Sequence, residues 1–254
     1  AQIEIAVGDK QTALIFRHLK PVETTDLEKF ITFGKTHDFS IYLQPKGQDT
    51  IHKIYPDDQQ PLLQYHLKEH QLNFSFHPID FIQVNRSINE KMLTQALSLL
   101  NLEANDTVLD LFCGLGNFSL PIAKKVAHVL GVEGVQSMVN KACENATFNK
   151  IENCSFFQAD LNSEWLSAKT LNDWAKQRFT KVLLDPARSG AELAIAQVIK
   201  LAIPTVLYVD CEPTTLARDS QLLLAKGYTI EKIGLVDMFS QTKHVETMVL
   251  FTKS

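Results

Sequence analysis

Three side chains suited to group-transfer chemistry stand beside apolar runs. Cys211 follows TVLYVD and precedes EPTTLARDS, which is typical of a helix start. The N-terminus of a helix lowers the pKa of a thiol and favours the nucleophilic thiolate. Asp185 ends KVLLD, and Glu246 lies in the apolar run HVETMVLF, where burial would raise its pKa into the range of a general base. The alternatives are a packed thiol, an Asp-Pro turn and a carboxylate that faces water.

A second set of residues indicates a pocket for a nucleoside. The run LDLFCGLGNF contains Gly114 and Gly116, which allow a tight turn and a close approach to a ligand. The third glycine of the dinucleotide-binding fingerprint is missing. One β-α unit later, Glu133 could accept from the ribose hydroxyls of NAD or S-adenosylmethionine, and Asp160 could accept from the adenine amino group. The alternative is that both acids cap the helices that follow, but together with the glycine turn they favour a ligand.

The elements that must position these residues are strands that alternate with helices from residue 87 onward. The helices include NEKMLTQALSLLN before the first strand and SEWLSAKTLNDWAK, residues 163–176, after the third. Five β-α units predict a mostly parallel sheet covered on both faces, and two final strands add an antiparallel hairpin, giving seven strands. Such sheets bind ligands at the carboxyl ends of their strands. Residues 1–80 predict a small α/β domain, and residues 81–254 predict the domain that carries the site.

Composition restricts the class of protein. The chain has 254 residues, of which 45% are hydrophobic, and its formal net charge is −4, which does not favour a nucleic-acid binder. Its four cysteines, Cys113, Cys143, Cys154 and Cys211, show neither metal-ligand nor disulfide spacing, so we expect no metal and reduced thiols. No apolar run reaches the length of a membrane span and no signal peptide is visible, which predicts a cytoplasmic protein.

Five motifs occur in an order that resembles one enzyme family. They are FIQVN, DLFCGLGNFSLPIA, LLDPARSGA, YVDCEPTTLARDS and DMFSQTKHVETMVLF. The chain is similar over residues 78–254 to the RNA uracil-5-methyltransferases, and most similar to the RumA-type branch that methylates 23S ribosomal RNA. The LARDS and HxExMVLF forms favour that branch over the tRNA-modifying relatives. The resemblance implies a Rossmann-like, S-adenosylmethionine-dependent methyltransferase domain that follows a small α/β central domain.

The resemblance also implies roles for individual residues. Cys211 would be the nucleophile that adds to C6 of a uridine flipped out of 23S ribosomal RNA, and Glu246 would be the base. Asp185 would be both a catalytic residue and a contact of the cofactor. The expected contacts of S-adenosylmethionine are Gln83, Phe112, Gly114, Asn117, Glu133, Asp160 and Asp185. Near the rim of the pocket, the basic residues Arg188, Arg218 and Lys243 could hold phosphates or be solvated surface charges. We expect the protein to act as a monomer.

The chain departs from the family pattern in two ways. Asp210 and Glu212 flank the cysteine where relatives carry serine and asparagine, and two nearby carboxylates would oppose thiolate formation unless they point away or pair with arginine. The family's ribosomal RNA enzymes are also expected to carry an OB-like domain and cysteines that hold an iron–sulfur cluster. This sequence contains neither, so we interpret it as a catalytic fragment, with a naturally shortened member as the alternative.

Three other functions remain open at the level of sequence. The first is a tRNA uracil-5-methyltransferase. The second is a methyltransferase of small molecules or proteins, which would give Cys211 and Glu246 no task. The third is a non-catalytic RNA-binding domain that retains the same fold.

Overall fold

The computed structural model describes residues 2–57, 63–164 and 178–253. The chain divides into two compact units, Ala1–Phe81 and Ile82–Ser254. Most of the helix that the sequence predicts over residues 163–176 lies outside the described residues. No helix within the described part of the chain is long and apolar enough to cross a membrane.

The first unit is a small α/β layer. A four-stranded sheet has the order β1-β2-β3-β4, and β5 and β6 form a separate antiparallel pair. Strands β1 and β2 pair antiparallel, whereas α1 leads from β2 to the parallel strand β3. The elements are β1 (Gln2–Val7), β2 (Thr12–Arg17), α1 (Thr24–His37), β3 (Phe39–Gln44), β4 (His52–Tyr55), β5 (Leu63–Leu67) and β6 (Leu72–Phe76).

The second unit contains a seven-stranded sheet with the order β12-β13-β11-β10-β7-β8-β9. Only β13 runs antiparallel to its two neighbours, so the predicted parallel sheet with a C-terminal antiparallel hairpin is confirmed. The elements are α2 (Arg86–Leu100), β7 (Thr107–Leu111), α3 (Ser119–Ala123), β8 (His128–Glu133), α4 (Gln136–Phe148), β9 (Cys154–Gln158), β10 (Lys181–Leu184), α5 (Glu192–Lys200), β11 (Thr205–Asp210), α6 (Pro213–Leu224), β12 (Thr229–Val236) and β13 (Glu246–Thr252).

Burial of apolar side chains explains why these segments form this sheet. The central strands read as continuous apolar runs because helices cover both faces of a parallel sheet. Helix α2 buries the predicted face of Met92, Leu93, Ala96, Leu97 and Leu100. The chain enters the sheet at β7, runs outward to β9 and returns to β10 on the other side of β7. This reversal of strand order opens a crevice at the carboxyl ends of β7 and β10, where ligands of such sheets bind.

Candidate active site

The turn after β7 is held in a conformation that is unusual for its residues. Phe112, Gly114 and Gly116 all have positive φ, at 63°, 54° and 95°. A bulky residue rarely adopts positive φ, and such strain persists where the surroundings enforce it, often at ligand sites. The aromatic ring of Phe112 packs against the core of the sheet. The backbone N–H of Gly114 donates to Oε2 of Glu133 at 3.1 Å, which ties the turn to the end of β8.

The two acids predicted to bind a nucleoside lie at the carboxyl ends of adjacent strands. Oε1 of Glu133 also accepts from the backbone N–H of Val135 at 3.0 Å, and Oδ1 of the exposed Asp160 accepts from the N–H of Asn162 at 3.0 Å. Both carboxylates therefore hold backbone N–H groups of the turns that follow their strands, but Glu133 does not cap α4, whose N-cap is Val135 without a side-chain hydrogen bond. A carboxylate oxygen has two acceptor positions, so each remains able to accept from a ligand as well.

Three other predicted residues flank the same crevice. Nε2 of Gln83 lies 3.5 Å from Oδ2 of Asp185, which directly follows β10. The side-chain amide of Asn117 exchanges two hydrogen bonds, of 3.0 and 2.9 Å, with the amide of Asn89 in α2. Asn89 is buried and was not predicted, because an amide on an apolar helix face gives no sign of its distant partner.

Four carboxyl groups form a row across neighbouring strands: Asp110 in β7, Asp185 after β10, Asp210 at the end of β11 and Glu246 at the start of β13. Burial raises the pKa of Asp110 to about 7. Burial, together with the carboxyl groups of Glu246, Asp110 and Asp210, holds the pKa of Asp185 well above its usual range. Such an acidic row favours a ligand that carries positive charge. Asp110 was also not predicted as a site residue, although an acid inside the apolar run TVLDLF could have indicated it.

The sheet register brings Cys211 and Glu246 together. Asp210, the last residue of β11, pairs with Thr247 of β13 in an antiparallel ladder. Cys211 directly follows Asp210 and Glu246 directly precedes Thr247, so both lie at the same rim, and the charge of Glu246 acts on the thiol. Glu246 is only 3% exposed, and burial followed by the charge of Asp210 raises its pKa to about 7. The carboxylate therefore lies in an interior strand with the raised pKa that the sequence predicts, and it is not an edge-strand group that faces water.

The sequence predicts that the N-terminus of a helix lowers the pKa of Cys211. This prediction is wrong, because other groups at the site raise that pKa. Burial of the half-buried thiol, and then the carboxylates of Glu246 and Asp210, raise its pKa, while a hydrogen bond from Arg188 and the charge of its guanidinium oppose that rise. Of the two flanking acids, Asp210 accepts from the N–H of Glu212 at 2.8 Å and from Oγ1 of Thr215 at 3.1 Å. The carboxylate of Glu212 caps the start of α6.

The three basic residues near the rim have different surroundings. Arg188 contacts Cys211. Hydrogen bonds from Thr214 lower the pKa of Glu212, and the charges of His244 and of the exposed Lys243 lower it further. Arg218 is engaged within the protein, because its Nε donates to Oδ1 of Asp219 at 2.7 Å and its Nη2 donates to the carbonyl of Ser189 at 3.0 Å. No three His, Cys, Asp or Glu side chains among the described residues come together as ligands for a metal ion.

Sequence comparison connects this geometry with a protein family. Residues 17–254 match the family model described as tRNA (Uracil-5-)-methyltransferase. The 23S rRNA (uracil(1939)-C(5))-methyltransferase RlmD of Hahella chejuensis is 49% identical over 253 residues, which are 100% of this chain and 57% of that protein. The RlmD protein of Nitrosococcus oceani is 46% identical over 255 residues, covering 100% of this chain and 56% of the relative. The chain thus spans little more than half the length of these relatives.

Comparison with solved structures supports the fold. The tRNA (uracil-54, C5)-methyltransferase of Pyrococcus abyssi, solved with S-adenosyl-L-homocysteine, matches with a TM-score of 0.75 and 24% identity, covering 98% of this chain and 58% of that one. Trm5b from the same organism matches with a TM-score of 0.65 and 13% identity, over 99% of this chain and 74% of that one. At these identities the likeness demonstrates the methyltransferase fold.

Proposed function

Because the chain belongs to the tRNA (Uracil-5-)-methyltransferase family, we propose that it transfers a methyl group from S-adenosylmethionine to C5 of a uridine in 23S ribosomal RNA. The observation that carries the proposal is the meeting of Cys211 with the buried Glu246 at the β11–β13 rim. A thiol beside a base is the pair that this reaction requires. The ribosomal substrate is favoured over tRNA because the relatives that are 49% and 46% identical are 23S rRNA enzymes.

The residues at the carboxyl ends of β7 to β10 fit S-adenosylmethionine, which supplies a methyl group activated on a sulfonium when it is bound. The acidic row suits its positively charged sulfonium and amino groups, and the positive-φ turn allows its backbone to approach a ligand closely. Glu133 and Asp160 retain acceptor positions for hydroxyl and amino groups. The residues that would hold the cofactor are Gln83, Phe112, Gly114, Asn117, Glu133, Asp160 and Asp185.

The proposed mechanism begins with the thiolate of Cys211. The target uridine must leave its stack to reach the rim of the sheet. Sγ then bonds to C6 of the ring, and the electrons of the C5=C6 bond move onto the C4 carbonyl, which gives an enolate. The electron-rich C5 could then take the methyl group as the C4 carbonyl re-forms, and the bound donor, losing its C–S bond to that methyl group, would leave as the neutral thioether. Asp210 and Glu246 make the thiol harder to ionise, so contact with the Arg188 guanidinium is important for this first step.

Glu246 completes the reaction as the base. After methylation, C5 carries both a hydrogen and the new methyl group. The ionised carboxylate of Glu246 removes that proton, the C5=C6 double bond re-forms, and the S–C6 bond breaks to release the thiolate of Cys211. A pKa of about 7 means that a substantial fraction of Glu246 is ionised at neutral pH and yet remains basic enough to accept the proton.

The proposal can be tested with 23S ribosomal RNA that contains 5-fluorouridine. A base cannot remove fluorine as a cation, so the reaction stops with protein and RNA covalently joined. We expect a denaturation-stable complex that forms only with S-adenosylmethionine, and mass spectrometry should find the methylated base on Cys211. Methylation of unsubstituted RNA without any such complex would contradict the covalent mechanism. A complex that forms with tRNA and not with 23S ribosomal RNA would contradict the choice of substrate.

Glu133→Gln tests the cofactor pocket. The charge that strengthens hydrogen bonds to a ligand disappears, and one of the two oxygens that accept from Gly114 and Val135 becomes an amide nitrogen, so we expect calorimetry to show S-adenosylmethionine binding weakened by about tenfold, or about 1.4 kcal/mol. Glu144→Gln is the matched control, because Glu144 is an exposed acid on α4 that pairs only locally with Lys141. Equal affinities for the two variants would show that Glu133 does no more than cap its turn.

A further inference from the structure

A buried carboxylate on α6 holds together two segments that meet at the candidate active site. Asp219 is fully buried. Its Oδ2 accepts from the backbone N–H of Ala191 at 2.6 Å and from the hydroxyl of Tyr208 at 2.8 Å, and its Oδ1 accepts from Nε of Arg218 at 2.7 Å. Arg218 reaches onward to the carbonyl of Ser189. One acid therefore anchors the loop of residues 185–191 on both sides of Gly190.

The same network continues to the turn that carries Cys211. Tyr208 of β11 lies three residues before Cys211; its hydroxyl donates to Asp219 and is close enough to Asp210 for the two groups to affect each other's pKa. Asp210 in turn accepts from the N–H of Glu212 and from Oγ1 of Thr215 at the start of α6. The loop of residues 185–191 and the Cys211 turn are thus fixed to each other through Asp219, Tyr208 and Asp210.

The loop packs tightly against Asp219 and Arg218, which together form a clamp. Gly190 has a φ of 80°, and a Cβ placed on it would lie 2.6 Å from Nη2 of Arg218 and 2.6 Å from Oδ2 of Asp219. Only glycine allows the backbone to pass so close to the ion pair. Arg188, two residues earlier, contacts the thiol of Cys211. The place of the guanidinium therefore depends on where the clamp holds the loop.

We propose that Asp219 is a positioning residue, which fixes the loop of residues 185–191 so that the guanidinium of Arg188 stays against Sγ of Cys211. This inference rests on the proposed function for the role of Cys211 as nucleophile. The charged groups that face this thiol are Asp210 of β11, Glu246 of β13 and Arg188 of the loop. Arg188 alone among these three favours the thiolate, so its displacement would leave the two acids unopposed.

Alkylation of Cys211 by iodoacetamide at different pH values, followed on its own peptide by mass spectrometry, tests the proposal. In Asp219→Asn, we expect the midpoint of alkylation to rise by roughly one pH unit, so that thiolate and methyl transfer at neutral pH fall about tenfold. The direction is informative. Removing the charge of Asp219 by itself would lower the midpoint or leave it unchanged, whereas release of Arg188 raises it.

Asp106→Asn is the matched control. Asp106 is also a buried acid, with an ion pair to Lys181 and a hydrogen bond from Thr180 Oγ1 at 2.7 Å, but it precedes β7 at the opposite edge of the sheet. We expect Asp106→Asn to lower the melting temperature without moving the alkylation midpoint. If Asp219→Asn behaves in the same way, its role is structural and the proposal is wrong.

Arg218→Gln provides a second variant in case Asp219→Asn does not fold. Its side chain is 47% exposed, so the substitution leaves Asp219 and Tyr208 in place while it removes both the ion pair with Asp219 and the link to Ser189. We expect a smaller rise of the midpoint in the same direction, and an unchanged midpoint would overturn the proposal. Alkylation needs neither RNA nor cofactor, so a shifted midpoint without uracil methylation would contradict the proposed function and leave this inference standing.

Discussion

Replacement of Cys211 by alanine is expected to abolish methyl transfer to 23S ribosomal RNA. Without the sulfur, nothing adds to C6, and C5 of uracil stays too poor a nucleophile to take the methyl group. We expect the rate of transfer of radiolabelled methyl groups to fall by at least about four orders of magnitude, which is the typical loss of rate when an enzyme's covalent nucleophile is removed. Binding of S-adenosylmethionine should be unchanged in calorimetry, because the cofactor residues lie on other strands.

Cys143→Ala is the control for this result. Cys143 is an exposed thiol on α4, and its loss should leave both methylation and the covalent complex with 5-fluorouridine RNA at their original levels. Retention of activity in Cys211→Ala would contradict the covalent mechanism. It would instead support direct transfer to a nucleophilic acceptor, the chemistry of small-molecule or protein methyltransferases.

Glu246→Gln is expected to stop the reaction one step later. The thiolate can still add and the methyl group can still reach C5, but glutamine cannot take up the C5 proton. We expect turnover to fall by about 10²- to 10⁴-fold, the contribution typical of a general base, while a methylated protein–RNA complex accumulates on unsubstituted RNA. Gel electrophoresis under denaturing conditions measures that complex. Glu231→Gln, a change at an exposed acid on β12, should cause neither effect.

The pH dependence of product release provides an independent check on Glu246. Its pKa of about 7 leaves it protonated and inactive as a base at lower pH, and ionised at higher pH. Single-turnover release from the methylated adduct should therefore increase as the pH rises through 7 and then level off. Release that is already maximal at pH 5 would exclude Glu246 as the base, since its carboxyl group is then mostly protonated.

The sequence by itself was sufficient to predict the type of fold and to place the site at the carboxyl ends of the strands. Alternation of apolar strands with helices requires a covered parallel sheet, and in such a sheet the residues after each strand gather at one edge. Cys211, Asp185, Glu133 and Asp160 could therefore be assigned to that edge without a structure. The five ordered motifs supported the family, which the comparisons confirm. The roles of individual residues remain predictions.

Tertiary structure alone decided how the residues at that edge affect one another. Strand order is set by pairing between distant segments, so no local pattern reveals that β13 inserts between β11 and β12 and brings Glu246 beside Cys211. The pKa of Cys211 is raised, although it stands before a helix, because it depends on burial and on the charges of three separate segments. The sequence allowed Arg218 to bind a phosphate or to be solvated, whereas in the structure its guanidinium pairs with Asp219. The spacing of apolar residues along the local sequence determines whether a segment forms a helix or a strand. Burial and charge pairing depend instead on which elements pack together.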